Sequence, residues 1–295
     1  NQLTSMADQQ FVLVTGAYDG IIRFWKAVEQ KCIGQIDFDT TVCGLSVSPN
    51  KQFLAACGYN QLRVYQISNQ SVQQTYKPDS DCCFSSCLFT KDLLYSTSED
   101  NWLKAYDSRQ AFNVFSFKNS SVLNTVCQQN QQYILAGDQN GRMLQFDIRK
   151  PQEPVQQIQA FDLDTGVRHI SSSSGFVACC DARGVLQIYD QELHLIHSVQ
   201  AHQDQINKCK LSPNNKFVAT CSCDKTCKYF EFDQQKILKQ QEIQGEALDL
   251  DFNTNGQLLL IGQEKCPKLY NCEGMNVIKQ YGGHAKLVTA VGLVD

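Results

Sequence analysis

Apolar and polar positions along the chain fall into one phrase, written seven times. Residues 11–27, "FVLVTGAYDGIIRFWKA", open with an apolar run, break at a turn, then alternate and end on an aromatic. The phrase returns at 53–67, 93–108, 133–148, 176–191, 217–232 and 258–272. The closing aromatics are Trp25, Tyr65, Tyr106, Phe146, Tyr189, Phe230 and Tyr270, spaced by 40, 41, 40, 43, 41 and 40 residues. Alternation in Val, Ile, Phe and Tyr around a Gly, Asp or Asn break predicts strand–turn–strand units. Two further strand candidates flank the second phrase, "TVCGLSVS" at 41–48 and "SVQQTY" at 71–76. Four strands per unit of about 40 residues, with no competing helical stripe, predict an all-β, seven-bladed propeller. The 295 residues then form one closed domain, where length alone would allow about two.

Composition narrows the function. Net charge is −4, pI is about 5.8 and no basic run is present, which argues against nucleic acid as a partner. No apolar stretch is long enough to insert in a membrane, and "NQLTSMADQQ" lacks the pattern of a secretory signal. Fifteen scattered Cys, an odd number, read as reduced thiols in a cytoplasmic protein. Asn69-Gln70-Ser71 and Asn119-Ser120-Ser121 match a glycosylation pattern by chance on that reading.

The period and the phrase endings resemble the WD40 family over nearly the whole chain. The Trp-Asp ending is mostly eroded to Tyr-Asp, Phe-Asp or Tyr-Gln, and Gly-His survives as Gly283-His284 and Ala201-His202. The resemblance implies a buried hydrogen-bond chain in each intact blade, from turn Asp to His to Ser/Thr to the Trp indole. The sixth unit keeps His202, Thr220 and Asp224 but has Phe230 in place of Trp, so it should be one bond short. The first has Thr15, Asp19 and Trp25 and no His before them, so His284 is the expected partner. One blade is then built from residues 11–38 plus 284–294, with a last strand near 287–294 closing the ring and removing two open strand edges.

Thr15, His284 and Asp19 also have the composition of a catalytic triad. No nucleophile elbow or oxyanion loop surrounds Thr15, so the structural reading is preferred and no enzyme activity is expected. "CSCDKTC" at 221–227 with His202 suggests zinc, but it lacks a second Cys pair at finger spacing, and period 2 points Cys221 and Cys223 apart. Neither a metal nor a cofactor is expected.

Function then belongs to the faces and loops. The residue before each turn Asp rings the narrow face: Tyr18, Tyr59, Glu99, Gln139, Ala182, Cys223 and Glu264. Tyr18 and Tyr59 are the leading partner anchors, with Trp102 just after the third turn. Within the WD40 class, "VTGAYDGIIRFWKA", "AACGYNQLRVYQI", "GDQNGRMLQFDIR", "SPNNKFVATCSCDKTCKYF" and "YGGHAKLV" look like the small WD-repeat subunits of TOR kinase complexes. The chain departs from them at "IQGEALDLDF" (243–252), which lacks a Trp carried there. That resemblance implies a non-catalytic propeller that binds and stabilises the TOR kinase catalytic domain, helps organise substrate access and meets other subunits of the complex. It implies no obligate homo-oligomer, and endomembrane association only through the complex. The competing reading is a WD40 adaptor of another complex, such as a ubiquitin-ligase substrate receptor.

Overall fold

The computed structural model describes residues 11–107, 113–232 and 237–294. Their twenty-eight strands, β1 to β28 in chain order, form seven four-stranded antiparallel sheets, the blades of a β-propeller. The innermost strands are β4 (Val42–Val47), β8 (Phe84–Phe89), β12 (Leu123–Gln128), β16 (Val167–Ser172), β20 (Ile206–Leu211), β24 (Ala247–Phe252) and β28 (Val288–Val294). Each touches the next, and β28 touches both β24 and β4, so the ring is closed. The sheet containing β28 continues outward through β1 (Val12–Ala17), β2 (Ile21–Lys26) and β3 (Lys31–Asp37).

Position in the blade explains the apolar pattern. The second strand of each blade lies between neighbouring sheets on both faces, so β1 and β21 (Phe217–Ser222) are buried at all but their first residue. Such strands read as continuous apolar runs. The outermost strands face water along one edge and one face, and β3 and β11 (Asn113–Lys118) are largely exposed. Six of the seven outermost strands shift register once against their neighbours, a bulge that spoils the free edge as a template for another chain.

A second bulge is present in all seven blades and matters more. Each innermost strand shifts register against the second strand just after its own first residue. In six blades the unpaired residue is Cys43, Ser85, Asn124, Arg168, Asn207 or Thr289; in β24 the interruption takes in Leu248 and Asp249. A bulge re-aims the side chain it carries. Here it turns those side chains toward the next blade and the mouth of the central channel.

Candidate functional site

The closing segment "YGGHAKLV" is bonded to the first blade almost residue by residue. Tyr281 is fully buried, its ring 5.9 Å from that of Trp25, and its hydroxyl donates to the Ala27 carbonyl at 2.9 Å. Gly283 has φ +150°, and a Cβ there would stand 3.3 Å from the Trp25 ring, so glycine is required. His284 Nε2 lies 2.8 Å from Thr15 Oγ1, which accepts the Trp25 indole N–H at 2.9 Å. His284 Nδ1 lies 3.2 Å from Asp19 Oδ2, and the same carboxylate oxygen accepts from the Ala285 N–H at 2.9 Å. Tyr18 N–H donates to Leu287 and Val288 N–H to Glu264, so the segment is stitched to blades on both sides.

Sequence reasoning missed Arg23. Its Nη1 is 2.6 Å from His284 Nδ1 and 3.2 Å from Asp19 Oδ2. Asp19 favours a proton on Nδ1, whereas the Arg23 N–H favours a bare Nδ1, so the two make opposite demands on one nitrogen. Either tautomer leaves the ring neutral. Burial first, and then the Arg23 charge, hold the His284 pKa below its ordinary value. Burial pushes the Asp19 carboxyl up, but backbone N–H bonds from Ala285 and Ile21, with the contact to His284, outweigh it and keep the carboxyl below the usual range. Thr15 is wholly buried and its hydroxyl is committed to Trp25 and His284, which closes it to any substrate.

The sixth blade carries the shorter chain. His202 Nε2 is 2.8 Å from Thr220 Oγ1, and Nδ1 is 2.9 Å from Asp224 Oδ2. Phe230 offers no donor, and Thr220 Oγ1 instead turns to the Lys228 carbonyl at 3.4 Å. Asp224 also accepts from the Thr226 hydroxyl and backbone, and its pKa falls to about 2 despite burial. The fourth blade solves the same problem differently. Buried Asp138 pairs with Arg142 at 2.6 Å and accepts from Asn119, Ser121 and the backbone N–H groups of Asn140 and Arg142.

The innermost strands surround a cavity of about 860 Å³, the central channel. Every joint between neighbouring innermost strands carries at least one side-chain bond. At the level of the bulge, Thr289 donates to the Val42 carbonyl, Ser85 to Leu123, Asn124 to Val167 and Asn207 to Ala247. Deeper in, Ser46 accepts the Phe89 N–H at 2.9 Å and Ser171 the Leu211 N–H at 3.0 Å. The closing joint uses carboxylates: Asp249 accepts the Val291 N–H at 2.8 Å and Asp251 the Leu293 N–H at 3.1 Å. The same carboxylates pair backward with Lys208 at 2.6 Å and Lys210 at 3.0 Å. Burial pushes the Asp249 pKa up against the pull of Lys208, while Asp251 raises that of Lys210 to about 12.

Tyr18, Tyr59, Glu99, Gln139, Ala182, Cys223 and Glu264 each directly follow the second strand of a blade, and together they ring one face. All but Ala182 are exposed, Tyr18 and Tyr59 at 46% and 47%. Tyr18, Glu99, Gln139 and Cys223 reach the channel mouth, where Arg168 and Asn207 join them; Tyr59 and Glu264 do not line it. Tyr59 instead bridges to Cys83 in the following blade. Trp102, first residue of β10 (Trp102–Asp107), is half-buried, with Lys104 and Lys118 lying 5.5 and 5.4 Å from its ring centre. Cys221 and Cys227 face one another as buried neighbours on adjacent strands, whereas Cys223 sits on the turn and is exposed. Among the described residues one group, Asp190, Glu192 and His194, brings three possible ligand atoms within 4.8 Å. It lies at the surface, and its Asp190 carboxylate is already occupied by two backbone N–H groups and the His194 ring.

Seven four-stranded blades in a closed ring define a seven-bladed β-propeller, and two of the blades carry an Asp-His-Thr chain joining turn to strand. The family model described as WD domain, G-beta repeat matches residues 193–231, the stretch that holds His202, Thr220 and Asp224. At the level of individual proteins, the chain is similar to subunits of target of rapamycin complexes. It is 29% identical over 249 residues to Target of rapamycin complex subunit LST8-1 of Arabidopsis thaliana, covering 79% of this chain and 81% of that one. It is 29% identical over 245 residues to Target of rapamycin complex subunit wat1 of Schizosaccharomyces pombe, covering 79% and 78%. Against Target of rapamycin complex subunit LST8 of Saccharomyces cerevisiae it is 25% identical, but the match spans 96% of this chain and 99% of that one.

Proposed function

We propose that this propeller is a non-catalytic subunit of a TOR kinase complex, which binds and stabilises the kinase domain and helps organise the access of substrates to it. The observation that carries the reading is similarity to three proteins named as subunits of such complexes, in one case along almost the whole of both chains. The site supports it in a second way. The two triad-like groups, Thr15 with His284 and Asp19 and Thr220 with His202 and Asp224, are consumed in joining turn to strand within their blades, while the exposed face offers aromatic anchors of the kind that carry protein interfaces. On this reading Tyr18 and Tyr59 touch the partner, and Glu99, Gln139, Glu264 and Trp102 surround them. The protein works in the cytoplasm and reaches internal membranes through its complex; no helix among the described residues is long and apolar enough to cross one.

The test is to tag the chain in its own cells, purify it gently and measure what accompanies it. A TOR-type kinase in near-equal amount, whose activity and abundance fall when this chain is depleted, supports the proposal. A cullin-type ligase in its place supports the adaptor reading, and either that outcome or the absence of any kinase defeats the proposal.

A further inference from the structure

Among the described arginines, Arg168 is the one the fold leaves unspent. The sequence has seven arginines, of which six are described. Arg23, Arg63, Arg142, Arg149 and Arg183 each pair with an aspartate at 2.5–3.3 Å. Arg168 has no hydrogen-bond or ion-pair partner among the described residues. Yet it is half-buried and lines the channel. A guanidinium partly withdrawn from water has lost hydration that its fold has not replaced, which is how a group held ready for a ligand looks.

Its place in the blade sharpens this. Arg168 is the bulge residue of β16. At the same bulge in four other blades, Thr289, Ser85, Asn124 and Asn207 spend their side chains on a carbonyl of the next blade. In the fifth blade the matching carbonyl, that of Ile206, is met by Cys180 Sγ at 3.9 Å. Beside Arg168, Asn124 donates to the Gln139 side-chain oxygen at 3.1 Å as well as to Val167. That leaves the Gln139 amide NH₂ as a second donor at the mouth with no partner among the described residues. Two donor groups, one of them a full positive charge, line the same opening.

We infer that Arg168, with Gln139, receives an acidic side chain of a partner protein inserted into the channel mouth. A carboxylate fits better than a phosphate. One guanidinium balances one negative charge, whereas dianionic phosphate is typically held by clusters of arginines. Glu99 also lines the mouth and would repel a second negative charge. The site is a property of this chain and does not depend on which complex it joins.

The experiment uses the whole chain and a fluorescent heptapeptide with a single Glu at its centre and no other charged side chain, followed by anisotropy. The matching Gln peptide and a phosphoserine peptide serve as comparisons. Wild type should bind the acidic peptide and not its amide counterpart. Arg168→Ala should weaken binding about tenfold or more. Arg149→Ala, which removes a surface cation, should leave it unchanged. Thermal unfolding of Arg168→Ala should match or exceed wild type, because no partner is orphaned. Equal binding by wild type and Arg168→Ala, tighter binding of the phosphopeptide, no binding of the acidic peptide, or a clear loss of stability in Arg168→Ala would each overturn the inference.

Discussion

His284 Nε2 and Thr15 Oγ1 stand 2.8 Å apart although 269 positions separate them in the chain. The contact is the centre of a relay from Asp19 to the Trp25 indole, and it lies in the sheet that closes the ring. Replacing His284 with Ala orphans part of Thr15 and Asp19 and should cost about 1–3 kcal/mol. Trp25→Phe removes the indole donor and leaves Thr15 bonded to His284, so about 1 kcal/mol is expected, plus any loss from repacking. Urea unfolding of both variants measures the order; a larger loss for Trp25→Phe would show that packing, not the relay, dominates there.

The joint between β24 and β28 gives a second expectation. Asp249 serves two partners at once, so Asp249→Ala frees the Val291 N–H and leaves Lys208 uncompensated. Because Lys208 can reach water, the cost is set at roughly 2–3 kcal/mol, below that of a fully buried pair. Asp251→Ala, in a more exposed pair, should cost about 1 kcal/mol. Hydrogen exchange should show the loss first at the amides of Val291 and Leu293. Protection that is unchanged at both would mean that the carboxylates do not hold this strand.

Removing residues 281–295 takes away Tyr281, His284 and all of β28. It exposes the inner edge of β1 and one side of β4 and β24 together, and should abolish soluble monomer. Gel filtration after expression decides it; a folded monomer from the shortened chain would contradict the role assigned to the closing strand.

The histidines set a direction with pH. Both His284 and His202 are held below 6.5 in the fold, chiefly by burial. The unfolded chain therefore takes up these protons first. Their contribution is fully present above that value and is lost as pH falls through the folded pKa of each. Asp19 and Asp224, both lowered from 3.8, add a second loss at more acid pH, while the raised carboxyl of Asp249 works in the opposite sense. Unfolding free energy measured at about pH 7.5 and about pH 5.5 should fall in wild type and change less in the His202→Gln, His284→Gln double variant. Equal slopes would remove the histidines from the account.

Tyr18 and Tyr59 are about half exposed, so replacing both with Ala should leave the unfolding midpoint in place. If they anchor the kinase, binding should weaken by roughly 2 kcal/mol or more. Co-purification and unfolding measured on the same protein separate the two effects; loss of fold would move the pair from the interface to the core.

The period, the seven blades and their aromatic ends were legible because burial imposes them. The second strand of each blade is covered on both faces, so it is built mainly of apolar and small residues, and the strand after it packs its aromatic against a neighbour. Alternation could not show where Arg168, Asn207 or Thr289 point. Each sits on a bulge, and a bulge breaks the rule that successive side chains face opposite ways. Arg23 was hidden for another reason. Its bond to His284 crosses 261 residues, and only the ring places the two side by side. Asp249 and Asp251 read as polar positions of an ordinary half-buried strand, with nothing local to say that their partners are backbone amides of the last strand.

Because β1 borrows its inner neighbour from β28, the order of synthesis matters. At the usual pace of translation, the first three strands wait roughly 13–50 s for the strand that covers them. Through that interval β1 presents a bare edge to everything else in the cell. Nascent chains stalled between β3 and β28 should therefore recruit chaperones that the finished ring no longer needs.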